Sequence, residues 1–221
     1  MRAVCVCNDP KVFADNYHGM FDFFHDLYPL TVGSRYLILG MTIFRNQFFF
    51  LVKNDFGSPD FAPSAFFEFF VADVPDSWKF RSGRDHDVSE IDSSTELPCA
   101  KWGYPELVDD SNHGSDLEAR EIDALMIFEA RYQAAFHEDV KSSLLTLLEK
   151  VGSLISSEDA ESLTMCVSAN ECSLALELLT TKLYNSKAYI HPEIVDSIRD
   201  LTITLRMDSF LADRLILNSA D

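Results

Sequence analysis

Asp109, Asp110, His113 and Asp116 gather three carboxylates and an imidazole within eight residues. Oxygen and nitrogen donors at that density are what a divalent ion needs, and a bound ion there would activate water for hydrolysis. The spacing matches neither an EF-hand loop nor a zinc site. A nucleophile elbow, a P-loop, an HExxH helix and a dinucleotide-binding glycine pattern are all missing from the sequence. The cluster therefore reads as a solvated loop. No catalytic residue, metal or cofactor is expected.

The same residues belong to a larger feature. Between Arg84 and Asp123 stand twelve Asp and Glu against three Arg and Lys, in a chain whose net charge is −18. Such a balance argues against direct binding to nucleic acid or to an anionic membrane, both of which need positive charge on the protein. It favours a basic protein partner. The candidate contacts are Asp109, Asp110, Asp116, Glu118 and Glu121, with Trp102 and Tyr104 as aromatic anchors.

The acidic stretch separates two kinds of sequence. Before it, bulky β-branched and aromatic runs predict strands: Arg2 to Cys7, Ser34 to Phe44, Phe48 to Lys53 and Ala65 to Val71, with a last short one after Pro75 to Trp78. Asp9 to Tyr28 reads as irregular or part helical. Asn54 to Pro63, with Gly57, Pro59 and Pro63, reads as a loop, as does Arg84 to Pro98. The strands FFFLV and AFFEFF lack alternation. Either both their faces are buried, or one is covered by the segment from Trp102 to Phe136. Ser115 and Glu118 form a capping box for a helix running to about Phe136, with Leu125, Phe128, Tyr132 and Phe136 on one side and Ile122 and Met126 flanking.

After the acidic stretch the apolar residues fall at helical spacing. Helices are expected over Asp139 to Ile155, from a cap at Ser156 or Ser157 to near Val167, over Ser173 to Tyr184, from His191-Pro192 to about Leu205, and over Asp208 to Leu217. Short connections imply neighbouring, mostly antiparallel helices. The expected fold is α+β: a small antiparallel SH3-like half-barrel with a docked helix over residues 1–136, then an all-α helical bundle over residues 137–221. The five cysteines are odd in number and lack a CxxC, which suits reduced thiols. Without a signal-peptide apolar core or a run long enough to span a bilayer, the chain is expected in the cytoplasm.

Two stretches carry a family resemblance. Leu30-Thr31-Val32-Gly33, Tyr36, Leu39-Gly40, Pro63 to Phe69 and Pro75 to Phe80 resemble an N-terminal module of bacterial polymorphic-toxin immunity proteins, completed by Trp102 to Leu107, His113 and Ala124 to Phe128. Asn170-Glu171, Leu174 to Leu179, Leu183-Tyr184 and Ile190 to Ile194 are similar to the helical repeat unit of MafI-like and contact-dependent-inhibition immunity proteins. The resemblance implies a non-enzymatic antidote that neutralises one cognate protein toxin, a nuclease with a basic cleft being the type an acidic surface fits. It transfers no contact residues. The alternative is a regulatory adaptor binding host proteins.

Overall fold

The computed structural model describes residues 1–11, 27–44, 47–71, 73–84 and 98–218. Most of the stretch read as irregular or part helical, and most of the acidic loop 84–98, lie outside the described residues. The chain is α+β, with two antiparallel sheets and seven α-helices among the described residues. It divides into two compact units, Met1–Ala135 and Phe136–Asp221.

In the first unit the strands are β1 (Arg2–Cys5), β2 (Arg35–Leu37), β3 (Gly40–Phe44), β4 (Gln47–Lys53), β5 (Pro59–Pro63), β6 (Phe67–Val71), β7 (Lys79–Arg84) and β8 (Pro98–Gly103). Where a single SH3-like half-barrel was expected, they are distributed over a three-stranded sheet of order β2-β1-β6 and a five-stranded sheet of order β5-β4-β3-β8-β7. The run Ser34 to Phe44 is therefore two strands in different sheets, parted at Ile38-Leu39. The stretch read as a loop from Asn54 to Pro63 closes a hairpin and then forms β5. Its prolines mislead because β5 is an edge strand, where a missing N–H costs no ladder bond. β8 was not foreseen at all; it pairs with both β3 and β7.

The missing alternation in β4 has a direct cause. Phe50 and Val52 pack into a core with Ala3, Cys5, Tyr36 and Phe67 of the small sheet. Leu51, between them, packs into a second core with Leu107, Leu117, Ala124 and Phe128 of the helices. The strand is buried on both faces, so both sets of side chains are apolar. Both faces are buried, and the segment from Trp102 to Phe136 supplies the cover on one of them.

Three helices follow in this unit: α1 (Pro105–Asp109), α2 (His113–Glu118) and the start of α3 (Ile122–Val151). The expected helix from Ser115 to Phe136 is corrected in three ways. Ser115 lies inside α2, its hydroxyl donating to the Asn112 carbonyl at 2.8 Å, so it caps nothing by the capping-box pattern. The helix then breaks at Arg120, whose φ is 62°. Finally, α3 runs without interruption for 30 residues through the connection expected near 137–138. Phe136 packs in the core of the second unit.

That second unit holds the remainder of α3 with α4 (Ser157–Ser168), α5 (Cys172–Ser186), α6 (Pro192–Thr204) and α7 (Phe210–Asn218). Leu144, Leu147, Leu148 and Val151 of α3 share one core with Leu176, Leu179, Leu183, Ile198 and Leu215. Local signals set the helix ends. Ser156 accepts from the Asp159 N–H at 3.1 Å, and Pro192 sits at the first position of α6 behind His191, whose Nδ1 accepts from the Glu193 N–H at 3.4 Å. Cys5, Cys7, Cys166 and Cys172 are free thiols, and burial pushes the Cys5 and Cys172 thiols up. Among the described residues no helix is long and apolar enough to cross a membrane.

Candidate binding surface

β8 delivers the chain to the candidate residues. Trp102 pairs across the sheet with Met41 and Phe80. Its ring lies 4.7 Å from that of Phe80 and 6.3 Å from that of Phe48, so it is half-buried in an aromatic row and only partly available as an anchor. Phe80, at 56% exposure, is the more open ring of that row and was not singled out in the sequence.

Tyr104 is corrected outright as a surface anchor: it is 4% exposed. Its hydroxyl shares a 2.8 Å hydrogen bond with Nε2 of His113, which is itself 2% exposed. Burial raises the Tyr104 phenol, as does the nearby Glu106 carboxylate. Burial lowers the His113 imidazole, against the opposing pull of Asp110, Glu106 and Asp116. His113 is thus neither in a solvated loop nor in an ion-binding cluster. It is a buried polar group satisfied by a tyrosine. Among the described residues no group of three or more His, Cys, Asp or Glu is placed to hold a metal ion.

The five candidate carboxylates separate by their surroundings. Asp109, at the end of α1, forms an ion pair with Lys79 of β7, both side chains being about half exposed. Asp110 accepts the Asn112 N–H at 2.9 Å and turns the chain into α2. Asp116 lies in the first turn of α2, suited to the positive end of the helix dipole. Glu118 ends that helix. Although the residue is exposed overall, cover over its carboxyl pushes its pKa up, Asp60 pushes it further, and Lys101 pulls it back. Glu121 is exposed and its N–H closes the end of α2 on the Asp116 carbonyl at 2.9 Å. Asp110, Asp116, Glu118 and Glu121, with Asp123 in the first turn of α3, have no cation within ion-pair distance among the described residues.

Asp60 of β5 is the carboxylate that the sequence did not reveal. It is half-buried and raised by burial, with Asn54, Arg120 and the Phe61 N–H drawing it down. Only its place in a strand beside α2 brings it near Glu118, and that strand was hidden by its prolines. Glu106, in contrast, is neutralised: Arg131 donates to it through Nε at 2.9 Å and Nη2 at 2.5 Å. Asp110 before α2, Asp116 and Glu118 within it, and Glu121 and Asp123 at the start of α3 make an acidic ridge without an ion-pair partner among the described residues, with Lys101 acting on Glu118 from further away. Its chemistry is attraction of cations. Comparison with protein-family models, curated proteins and solved structures found no match.

Proposed function

We propose that this chain is a cytoplasmic immunity protein that neutralises a cognate bacterial toxin by direct binding and performs no reaction of its own. One observation carries the reading. Asp110, Asp116, Glu118, Glu121 and Asp123 fall within 14 residues, and among the described residues no cation pairs with them, whereas neighbouring Glu106 and Asp109 are paired. Glu118 strengthens it, because a carboxylate whose pKa is raised by cover and by Asp60 gains when a cation is brought to it. The partner is a basic protein, the substrate cleft of a nuclease being the best fit. Opposite charge steers such an encounter toward about 10⁸ M⁻¹s⁻¹ at low salt, which suits an antidote that must act before damage is done.

The test is co-expression with the product of the adjacent upstream gene, scored by rescue of growth and by a co-purifying complex. Replacing Asp116, Glu118 and Glu121 together by lysine is expected to slow association and flatten its salt dependence. An unchanged association rate would remove this ridge from the mechanism.

A further inference from the structure

Beside the acidic ridge lies a feature with different chemistry. A groove of about 310 Å³ runs between the β4–β5 turn and the first turns of α3, lined by Gly57, Ser58 and Pro59 on one side and by Ile122, Leu125, Met126 and Phe128 on the other, with Glu129 at its end. Ile122 is 73% exposed and Met126 67%, and Phe56, next to Gly57 in the turn, is 85% exposed. Two large apolar side chains of the lining stand in water, with Phe56 exposed beside them in sequence to the lining Gly57, although the neighbouring Leu125 and Phe128 of the same helix are withdrawn toward the core. Isolated exposed apolar residues need no explanation, whereas a set rimmed by charge marks a binding surface.

The groove is held open in advance. At one end Arg120 reaches from the break between α2 and α3 to donate to the Pro59 carbonyl at 2.7 Å. At the other, Lys53 of β4 donates to both oxygens of Glu129, at 2.7 and 2.9 Å, and sits 4.5 Å from the centre of the Tyr132 ring. The turn between these ties is fixed by Asn54, whose side-chain oxygen accepts the N–H groups of Phe56 and Ser58 at 3.0 Å each. Walls tied at both ends lose little further freedom when something docks between them.

Charge decides the occupant. Glu121 and Asp123 flank Ile122 in sequence, and neither has an ion-pair partner among the described residues. A second copy of this chain would bring the same acids to the same rim, against a net charge of −18 on each molecule. A basic segment meets no such repulsion. We infer that this groove receives an amphipathic segment of a basic protein partner, its apolar side chains seated against Ile122 and Met126 and its Lys or Arg residues against Glu121 and Asp123. Met126 suits the role, since an unbranched thioether adapts to whatever side chain arrives. The inference deepens the proposed function and rests on its basic partner, adding the segment type and the apolar contacts that fix it.

The experiment uses the full chain and a fluorescently labelled lysine-rich peptide of about 15 residues with leucines at i, i+3 and i+4 spacing. Two controls accompany it: the same peptide with its leucines replaced by serine, and the variant Ile122→Ser/Met126→Ser, which changes only exposed side chains. The expected result is that the leucine peptide binds the native chain about tenfold or more tightly than it binds the variant, while the serine peptide binds both alike. Equal affinity of the leucine peptide for native chain and variant overturns the inference. So does a native dimer, seen by sedimentation, that the variant disperses, because the occupant is then a second copy. If the toxin is still neutralised when the peptide fails to discriminate, the groove falls and the antidote reading stands. Discrimination without neutralisation leaves the groove and removes the antidote.

Discussion

Gly40 and Gly103 stand opposite each other across β3 and β8, and the side chain of Leu107 from α1 rests on both. A Cβ at Gly103 would lie 2.7 Å from Leu107 Cδ2 and 3.1 Å from both the Gly40 Cα and the Leu39 carbonyl oxygen. A Cβ at Gly40 would strike the same leucine methyl and approach the Trp102 carbonyl oxygen to 3.1 Å. The pair makes the shallow seat on which the first helix lands. Gly103→Ala is expected to lower stability by roughly 1–3 kcal/mol, as overpacking does, measured by urea unfolding. In a Leu107→Ala background the added cost of Gly40→Ala should shrink, because its closest clash is with that side chain. Full additivity of the two changes would show that Leu107 is not what the glycines accommodate.

Burial of His113 beside Tyr104 makes stability depend on pH near neutrality. Burial holds the His113 imidazole below its ordinary 6.5, so in that range the unfolded chain takes up a proton before the folded one does. The stabilisation is complete above about pH 6.5 and is lost progressively as pH falls through the folded value. Tyr104→Phe strands the imidazole nitrogen in the core and should cost about 1–3 kcal/mol. Unfolding midpoints of the native chain and His113→Phe, taken between pH 7.5 and pH 5, should converge as the pH falls. Parallel curves would mean that His113 does not titrate across folding.

These two pairs also show what was legible in the sequence. Phe128 was legible as the apolar side of a helix, whereas Leu39, Gly40, Gly103 and Ala124 were named only within the resemblance; the structure gathers them with Tyr104, Leu107 and His113 around the seat of α1 and the core beneath it. What the letters did not carry was burial. Tyr104 and His113 sit among Asp and Glu in the chain, and only pairing through the fold takes them out of water. The helices of the second unit were legible because Leu and Ile recur every three or four residues and Ser156, His191 and Pro192 mark their starts. β5 and β8 were not, since one carries prolines and the other follows a run of charge. The break at Arg120 was also hidden, because arginine is an ordinary helix former and nothing local announces a left-handed residue.

Two ion pairs tie α3 to the rest of the first unit: Arg131 to Glu106 of α1, and Lys53 of β4 to Glu129. The Arg131 guanidinium holds Glu106 below the usual carboxylate range, and the Lys53 ammonium, helped by Gln133, does the same for Glu129. Both carboxylates therefore stabilise the fold above their unfolded values near 4.5, and that contribution disappears as pH falls through the lower folded values. These side chains are partly exposed, so each pair is worth about 0.5–1 kcal/mol. Glu106→Gln/Glu129→Gln should unfold in less urea at pH 7 and lose less stability than the native chain between pH 5 and pH 3. An acid limb of unchanged steepness would assign the acid sensitivity to other carboxylates.

Among the described residues four other than glycine have positive φ: Arg120, Asn170, Lys187 and Arg206. Arg120, Asn170 and Arg206 each follow a helix whose end is closed by two backbone bonds, as in Arg206 N–H to the Ile203 carbonyl at 3.1 Å and Met207 N–H to the Thr202 carbonyl at 2.9 Å. That motif asks for a left-handed residue, which side chains with a Cβ adopt at a cost of about 1–2 kcal/mol. Glycine removes the cost but frees the unfolded chain, so the net gain is a fraction of it. Arg206→Gly should therefore raise stability by about 0.5–1 kcal/mol, measured as a higher thermal midpoint, because Arg206 is exposed and its place is set by its backbone. Arg120→Gly should gain less or lose, because it also deletes the 2.7 Å bond to the Pro59 carbonyl that ties the groove walls together. Equal gains at the two sites would mean that the Arg120 side chain contributes nothing to the fold.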